Sequence, residues 1–137
     1  MVSDLSFLVD TNILFDYLSD DSEWFDWAAS MLAQAANDGF LAINPIVYAE
    51  VSVRFARVED VEAALPAHYF RRAPIPWEAA FLAAKVYAQY RKQGGTRTAP
   101  LPDFFIGAHA AVAGMTLLTR DAHRYREYFP KLKLIAP

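Results

Sequence analysis

With 137 residues, 55% of them hydrophobic and 21% charged, the chain can enclose a real core and is too apolar for wholesale disorder. It has no cysteine, which excludes disulfide scaffolds, thiol catalysis and thiolate zinc sites, and fits a reducing compartment. The net charge of −3 conceals a split: residues 1–70 hold 12 acids and 2 bases, while residues 71–137 hold 11 bases and 4 acids. Such a split is the footprint of a polyanionic partner if the basic half gathers on one face. Charge alone favours the plainer account, in which the two halves attract each other in the fold. The weakly polar stretch from Phe104 to Leu118 is too short to span a bilayer and carries His109. Asp4 stands where a signal peptide wants Lys or Arg, so a cytoplasmic protein with no membrane partner is expected.

In chain order, Phe7-Leu8-Val9 closed by Asp10 reads as a buried strand. Thr11-Asn12 opens a helical pattern through Ile13, Leu14, Tyr17 and Leu18. Ser22 is expected to cap a longer helix, with Trp24, Trp27, Ala28, Met31 and Ala35 on one stripe and Phe25 and Leu32 beside it. Asn37-Asp38-Gly39 ends that helix, and Phe40 to Ile43 reads as a second strand. Asn44-Pro45 is a cap with proline at the first helical position, predicting a helix to about Ala56. A short helix near Val58–Leu65 and a strand around Tyr69–Arg72 follow. Pro76 opens a helix to about Tyr90, stopped by Gly94-Gly95, and a loop runs to Pro102. Asp103 is expected to start the next helix, to Ala113. Thr116–Thr119 is a strand, Asp121 to Phe129 a helix, and Leu132–Ile135 a last strand. Alternating strands and helices predict one α/β domain over residues 1–137, with a parallel sheet and right-handed crossovers.

Asp10 and Asp121 follow strands, and Asp103 opens a helix after a loop. In an open parallel sheet, ligands bind outside the carboxyl ends of the strands, where such residues converge. Helix capping accounts for any one of these aspartates alone. Glu50 has no such account: it sits mid-helix with Ile46, Val47 and Val53 about it, unless Arg54 at i+4 pairs with it. If the four carboxylates meet, each pair ~5 Å apart repels by ~3 kcal/mol at an effective dielectric near ~20. A cation is then required, and an all-oxygen set suits Mg²⁺ or Mn²⁺, which can activate water against a phosphodiester. His68, His109 and His123 lack metal-ligand spacing, and His109 between alanines reads as a core residue. Gly94-Gly95 has no lysine of a phosphate-binding loop, and no nucleophile elbow is present.

The stretches Phe7 to Asn12, Asn44 to Val51, Leu101 to Ala108 and Leu117 to Asp121, in this order and spacing, resemble PIN-domain proteins, above all the VapC toxins of bacterial toxin–antitoxin pairs. The closing Arg124-Tyr125-Arg126-Glu127-Tyr128-Phe129-Pro130 resembles them too, so the likeness spans essentially the whole chain. It implies an α/β/α sandwich around a parallel sheet and Mg²⁺- or Mn²⁺-dependent cleavage of structured RNA, transfer or ribosomal. It implies that Asp10, Glu50, Asp103 and Asp121 form an acidic quartet, with Asn12 and Thr119 as polar supports. It also implies a homodimer and a cognate antitoxin that covers the site. Many relatives place Ser or Thr near Asn44, a departure here. A non-toxin PIN nuclease of RNA processing, a haloacid-dehalogenase-like phosphatase and a non-catalytic binding module are the alternatives. The phosphatase wants an acid where Asn12 stands. Arg71, Arg72, Arg91, Lys92, Arg97, Arg120 and Arg124 are the expected RNA-binding cations. Trp24, Trp27 and Met31 give the second helix more apolar width than one buried face needs, and are the expected antitoxin contact.

Overall fold

The computed structural model describes residues 5–94 and 101–137. Strand β1 (Ser6–Val9) leads into α1 (Thr11–Tyr17) and α2 (Phe25–Asp38), then β2 (Phe40–Ile43), α3 (Pro45–Ser52) and α4 (Val58–Ala64). Strand β3 (Phe70–Arg72) precedes α5 (Trp77–Lys92) and α6 (Leu101–Ala113), and β4 (Thr116–Leu118), α7 (Ala122–Tyr128) and β5 (Leu134–Ile135) close the chain. The described strands form one parallel sheet in the order β3-β2-β1-β4-β5. Successive residues of a strand face opposite sides, yet Leu8 and Val9, and likewise Leu117 and Leu118, are wholly buried. Both faces of the sheet are therefore covered, as an α/β/α sandwich requires. No helix among the described residues is long and apolar enough to cross a membrane.

The chain steps from β1 outward to β2 and β3, then returns to the other side of β1 for β4 and β5. The reversal lies between β1 and β4, whose carboxyl ends are tied by the Asp10 amide donating to the Leu118 carbonyl at 2.9 Å. A crevice at such a switch point is the ligand site of open α/β sheets. Two glycines shape this half of the fold. Gly114 takes a positive φ of 69° where α6 turns into β4. A Cβ on Gly107 would collide with the Phe129 ring, so the bare backbone lets α6 and the segment after α7 close together.

Among the described residues the element types agree with the sequence reading, and several boundaries differ. Helix α2 starts at Phe25 with Trp24 in the cap position, and Ser22 does not cap it. The Ser22 hydroxyl is drawn instead to the buried Asp16 carboxylate at 2.8 Å, while accepting from the Trp24 amide. Helix α3 stops at Ser52, four residues short of Ala56, where Arg54 turns back to lay its guanidinium 3.5 Å from the Phe15 ring centroid. Helix α6 already runs from Leu101, which places Asp103 in its first turn and not ahead of it. The final strand keeps only Leu134 and Ile135, the residues that pair with β4. Gly95 and Arg97 lie outside the described residues.

Candidate active site

Asp10 is the first residue past the central strand. Its extended backbone lets the carboxylate cap α1, accepting from the Thr11 amide at 2.8 Å, and only 5% of the residue is exposed. Its second oxygen accepts from the Thr119 hydroxyl at 2.8 Å. Thr119, wholly buried at the end of β4, also accepts from the Asp121 amide at 3.0 Å and the Asn12 side-chain amide at 3.4 Å. One hydroxyl thus uses its single proton and both lone pairs to join β1, α1 and the start of α7. The Asn12 carbonyl accepts from the Arg120 amide, so this side chain is fully engaged as a strut.

Glu50 enters from α3 and is held by the Thr11 hydroxyl at 2.6 Å. Arg54 is committed to Phe15 instead. Asp103 arrives on the first turn of α6, and Asp121 caps α7 by accepting from the Arg124 amide at 3.4 Å. These four acids, with Thr11, Asn12 and Tyr125, line one cavity of about 190 Å³. Two larger clefts, about 480 and 410 Å³, hold one carboxylate between them, that of Glu62. Volume alone would point away from the chemistry.

The electrostatics of the cavity are those of acids crowded out of water. Burial lifts the Asp10 carboxyl from 3.8 to about 6; the Thr119 hydrogen bond opposes the rise and the Asp103 charge adds to it. Burial also raises Asp103, against the pull of Arg124. The Tyr125 hydroxyl is enclosed without a well-formed hydrogen bond, facing the Asp10 and Asp103 carboxylates, and its pKa is far above the ordinary value, first through burial. A buried hydroxyl facing carboxylates without a well-formed partner suits a site that takes up a polar ligand such as water. The all-oxygen donor set fits a hard divalent cation. Among the described residues no three acids or histidines are drawn close enough to enclose an ion as they stand. The Arg124 guanidinium sits between Asp103, through Nη1, and Asp121, 3.1 Å from Nε.

The other expected site residues are dispersed. Arg120 pairs with buried Asp16 and lies 5.3 Å from the Trp24 ring centroid. Arg71 stands over Phe40, and Arg72 is bound by Glu62 and the Leu65 and Phe70 carbonyls, on the edge strand two places from β1. Arg91 and Lys92 are exposed at the end of α5. Trp27 and Met31 pack partly buried against the core, while Trp24 meets Trp27 edge-on at 6.0 Å. Asn44 caps α3 through the Val47 amide at 3.0 Å, which leaves its side-chain nitrogen, 3.1 Å from His109 Nδ1, as the donor. His109 is then a neutral acceptor, and its burial lowers its pKa in agreement.

The sequence reading passed over Thr11, Asp16 and Tyr125. The signals were one helical turn away. Asp16 stands four residues after Asn12, and Tyr125 four after Asp121, so each shares a helix face with a residue already singled out.

A PIN domain model matches residues 7–129. No curated protein matches the sequence. Among solved structures, a chain of VapBC2 from Rickettsia felis, bound to a DNA fragment from its promoter, superposes with a TM-score of 0.74 at 20% identity, over 96% of this chain and 98% of that one. VapBC-1 from nontypeable Haemophilus influenzae gives 0.73 at 18%, over 96% and 98%. FitAcB from Neisseria gonorrhoeae gives 0.71 at 18%, over 96% and 97%. At such identities the likeness speaks for the fold.

Proposed function

The chain belongs to the PIN-domain family, and from that premise we propose that it is a divalent-metal-dependent endoribonuclease, the toxin of a toxin–antitoxin pair. The observation that carries the reading is the convergence of Asp10, Glu50, Asp103 and Asp121 on one cavity at the sheet's switch point. Family members of this type generally use divalent ions, and Mg²⁺ or Mn²⁺ suits oxygen ligands. Asp10, Asp103, Asp121 and Glu50 are the side chains that would hold the ion. The chemistry it supplies there when bound is Lewis-acid activation of water and charge neutralisation at a phosphodiester.

The chain's own part is to prepare those ligands. Thr119 fixes the rotamer of Asp10, Thr11 fixes Glu50, and Asn12 holds the turn that carries Arg120 and Asp121. Ligands oriented in this way lose little freedom on binding. Tyr125 offers a buried hydroxyl toward Asp10 and Asp103, placed to steady a water between them. Structured cellular RNA, transfer or ribosomal, is the substrate class this reading adopts, in the cytoplasm. The solved VapBC neighbours, two of them bound to DNA, support an antitoxin partner, and a homodimeric toxin is part of the same proposal.

The test is cleavage of purified transfer and ribosomal RNA with and without Mg²⁺. The wild type should cut only with the ion. Asp10→Asn should keep the fold and lose at least about a hundredfold in rate, since even the supports of metal ligands are worth 10–100-fold. Metal-independent cleavage, or an unimpaired variant, would refute the reading.

A further inference from the structure

Arg124, expected among the RNA-binding cations, lines the acidic cavity itself. Its side chain runs back along α7, where Nε meets Asp121, three residues earlier, at 3.1 Å, and Nη1 meets Asp103 on α6. Asp121 spends both oxygens on this one residue, Oδ1 on its amide and Oδ2 on its guanidinium. The side chain is nevertheless 40% exposed, so solvent stands ready on its open flank.

We propose that Arg124 is a resident counter-cation that a divalent ion must displace to assemble the acidic site. The proposal rests on the metal-dependent reading above. Two carboxylates facing each other in a partly buried cavity repel, and a guanidinium between them cancels that repulsion with directed hydrogen bonds. A single small ion requires the same oxygens at ~2.1 Å from one point, which brings them nearer together than a planar guanidinium inserted between them allows. The two cations therefore exclude each other geometrically. In the structure Arg124 holds Asp103 and Asp121, and no three acids enclose a point among the described residues. Because the side chain is partly exposed, its release needs no opening of the core. The consequence is a metal affinity set below that of the bare carboxylates, so that loading occurs only above a threshold of free ion.

Calorimetric titration with Mn²⁺ of the metal-free wild type, Arg124→Gln and Arg124→Lys tests this. Removing the competitor should tighten Mn²⁺ binding about fivefold or more in Arg124→Gln, with Arg124→Lys in between, because lysine keeps the charge without the fork. The same protein in EDTA should melt lower than the wild type, having lost its counter-charge. A measurement on the unaltered chain stands beside these. The Arg124 Nε–H resonance, held by Asp121 in the metal-free state, should shift and exchange faster with water as Mg²⁺ saturates. Equal or weaker Mn²⁺ binding by Arg124→Gln, or a resonance unmoved at saturation, overturns the displacement. If the wild type binds no Mn²⁺ at all, the metal-site reading itself falls, and the proposal with it.

Discussion

Asp10 shows how one residue carries both the fold and the site. It caps α1 and ends the central strand, two roles that any aspartate fills, but it does so almost sealed from water. Burial raises its pKa to about 6 from 3.8, which places the folded value above the unfolded one. Such a group adds stability below pH ~4, and that stability is lost as pH rises through ~6, because ionising it costs more in the folded state. The difference corresponds to ~3 kcal/mol. In EDTA, the melting temperature of the wild type should therefore fall as pH rises from about 4 to 6. Asp10→Asn, which cannot ionise, should lack that part of the slope. Parallel pH profiles for the two proteins in thermal melts would show that the buried charge is not the cause. The four acids were readable from the sequence because each stands after a strand, at the start of a helix or on an apolar helix face. Their partners were less so: Tyr125 shares a helix face with Asp121, but the hydroxyl of Thr11 signals nothing until the chain folds it against Glu50.

At the scale of one element, α2 separates packing from exposure. Its buried stripe is Ala28, Leu32 and Ala35, at the i, i+4, i+7 spacing of a core-facing helix. Trp27 and Met31 lie on the flank and still touch the core, whereas Trp24 sits in the cap position, reaching toward Trp27 and Arg120. The expected antitoxin surface therefore divides. Trp27→Ala should lower the melting temperature by an amount corresponding to ~2–3 kcal/mol, since it removes partly buried ring surface. Trp24→Ala should leave the melting temperature nearly unchanged. If an antitoxin docks here, the same change should weaken its binding by ~2 kcal/mol, as an aromatic anchor does. Melting curves and antitoxin affinities measured on both variants decide it, and a Trp24→Ala protein that binds normally removes this helix from the interface. The period of apolar residues announced a wide helix face; which part of the width the core takes depends on how close the sheet stands behind it.

For the whole molecule, the question is where the charge split goes. Ion pairs join the halves, among them Arg120 with Asp16 and Arg72 with Glu62, so part of the split is spent on internal attraction. Arg91 and Lys92 remain exposed at the end of α5. Tyr87 and Tyr90 of the same helix pack against Phe104, the residue after Asp103, at 5.6 and 5.7 Å between ring centroids. Helix α5 thus lies against α6, the helix that carries Asp103, and the basic pair at its end is the RNA contact proposed for this helix. Replacing both with Gln should weaken RNA binding and flatten its dependence on salt, because fewer counterions are released per complex. The slope of log affinity against log salt, from filter binding or fluorescence, measures this. A slope equal to that of the wild type places the RNA path elsewhere.

The sequence by itself determined the kinds of element, their order and the chemistry of the acids, because hydrophobic period, capping residues and charge are local properties of a chain. Phe7-Leu8-Val9 reads as a strand from its apolar run, and Asn44-Pro45 marks a helix start from its own residue types. Only the tertiary structure decided which charges meet. That Arg124 lies across Asp103 and Asp121, that Arg120 turns to Asp16, and that Thr119 binds three partners at once all follow from β1 and β4 ending side by side. Those contacts join residues up to 109 positions apart. A pairing at that distance is fixed by strand order, and strand order by which buried faces the whole chain can cover together.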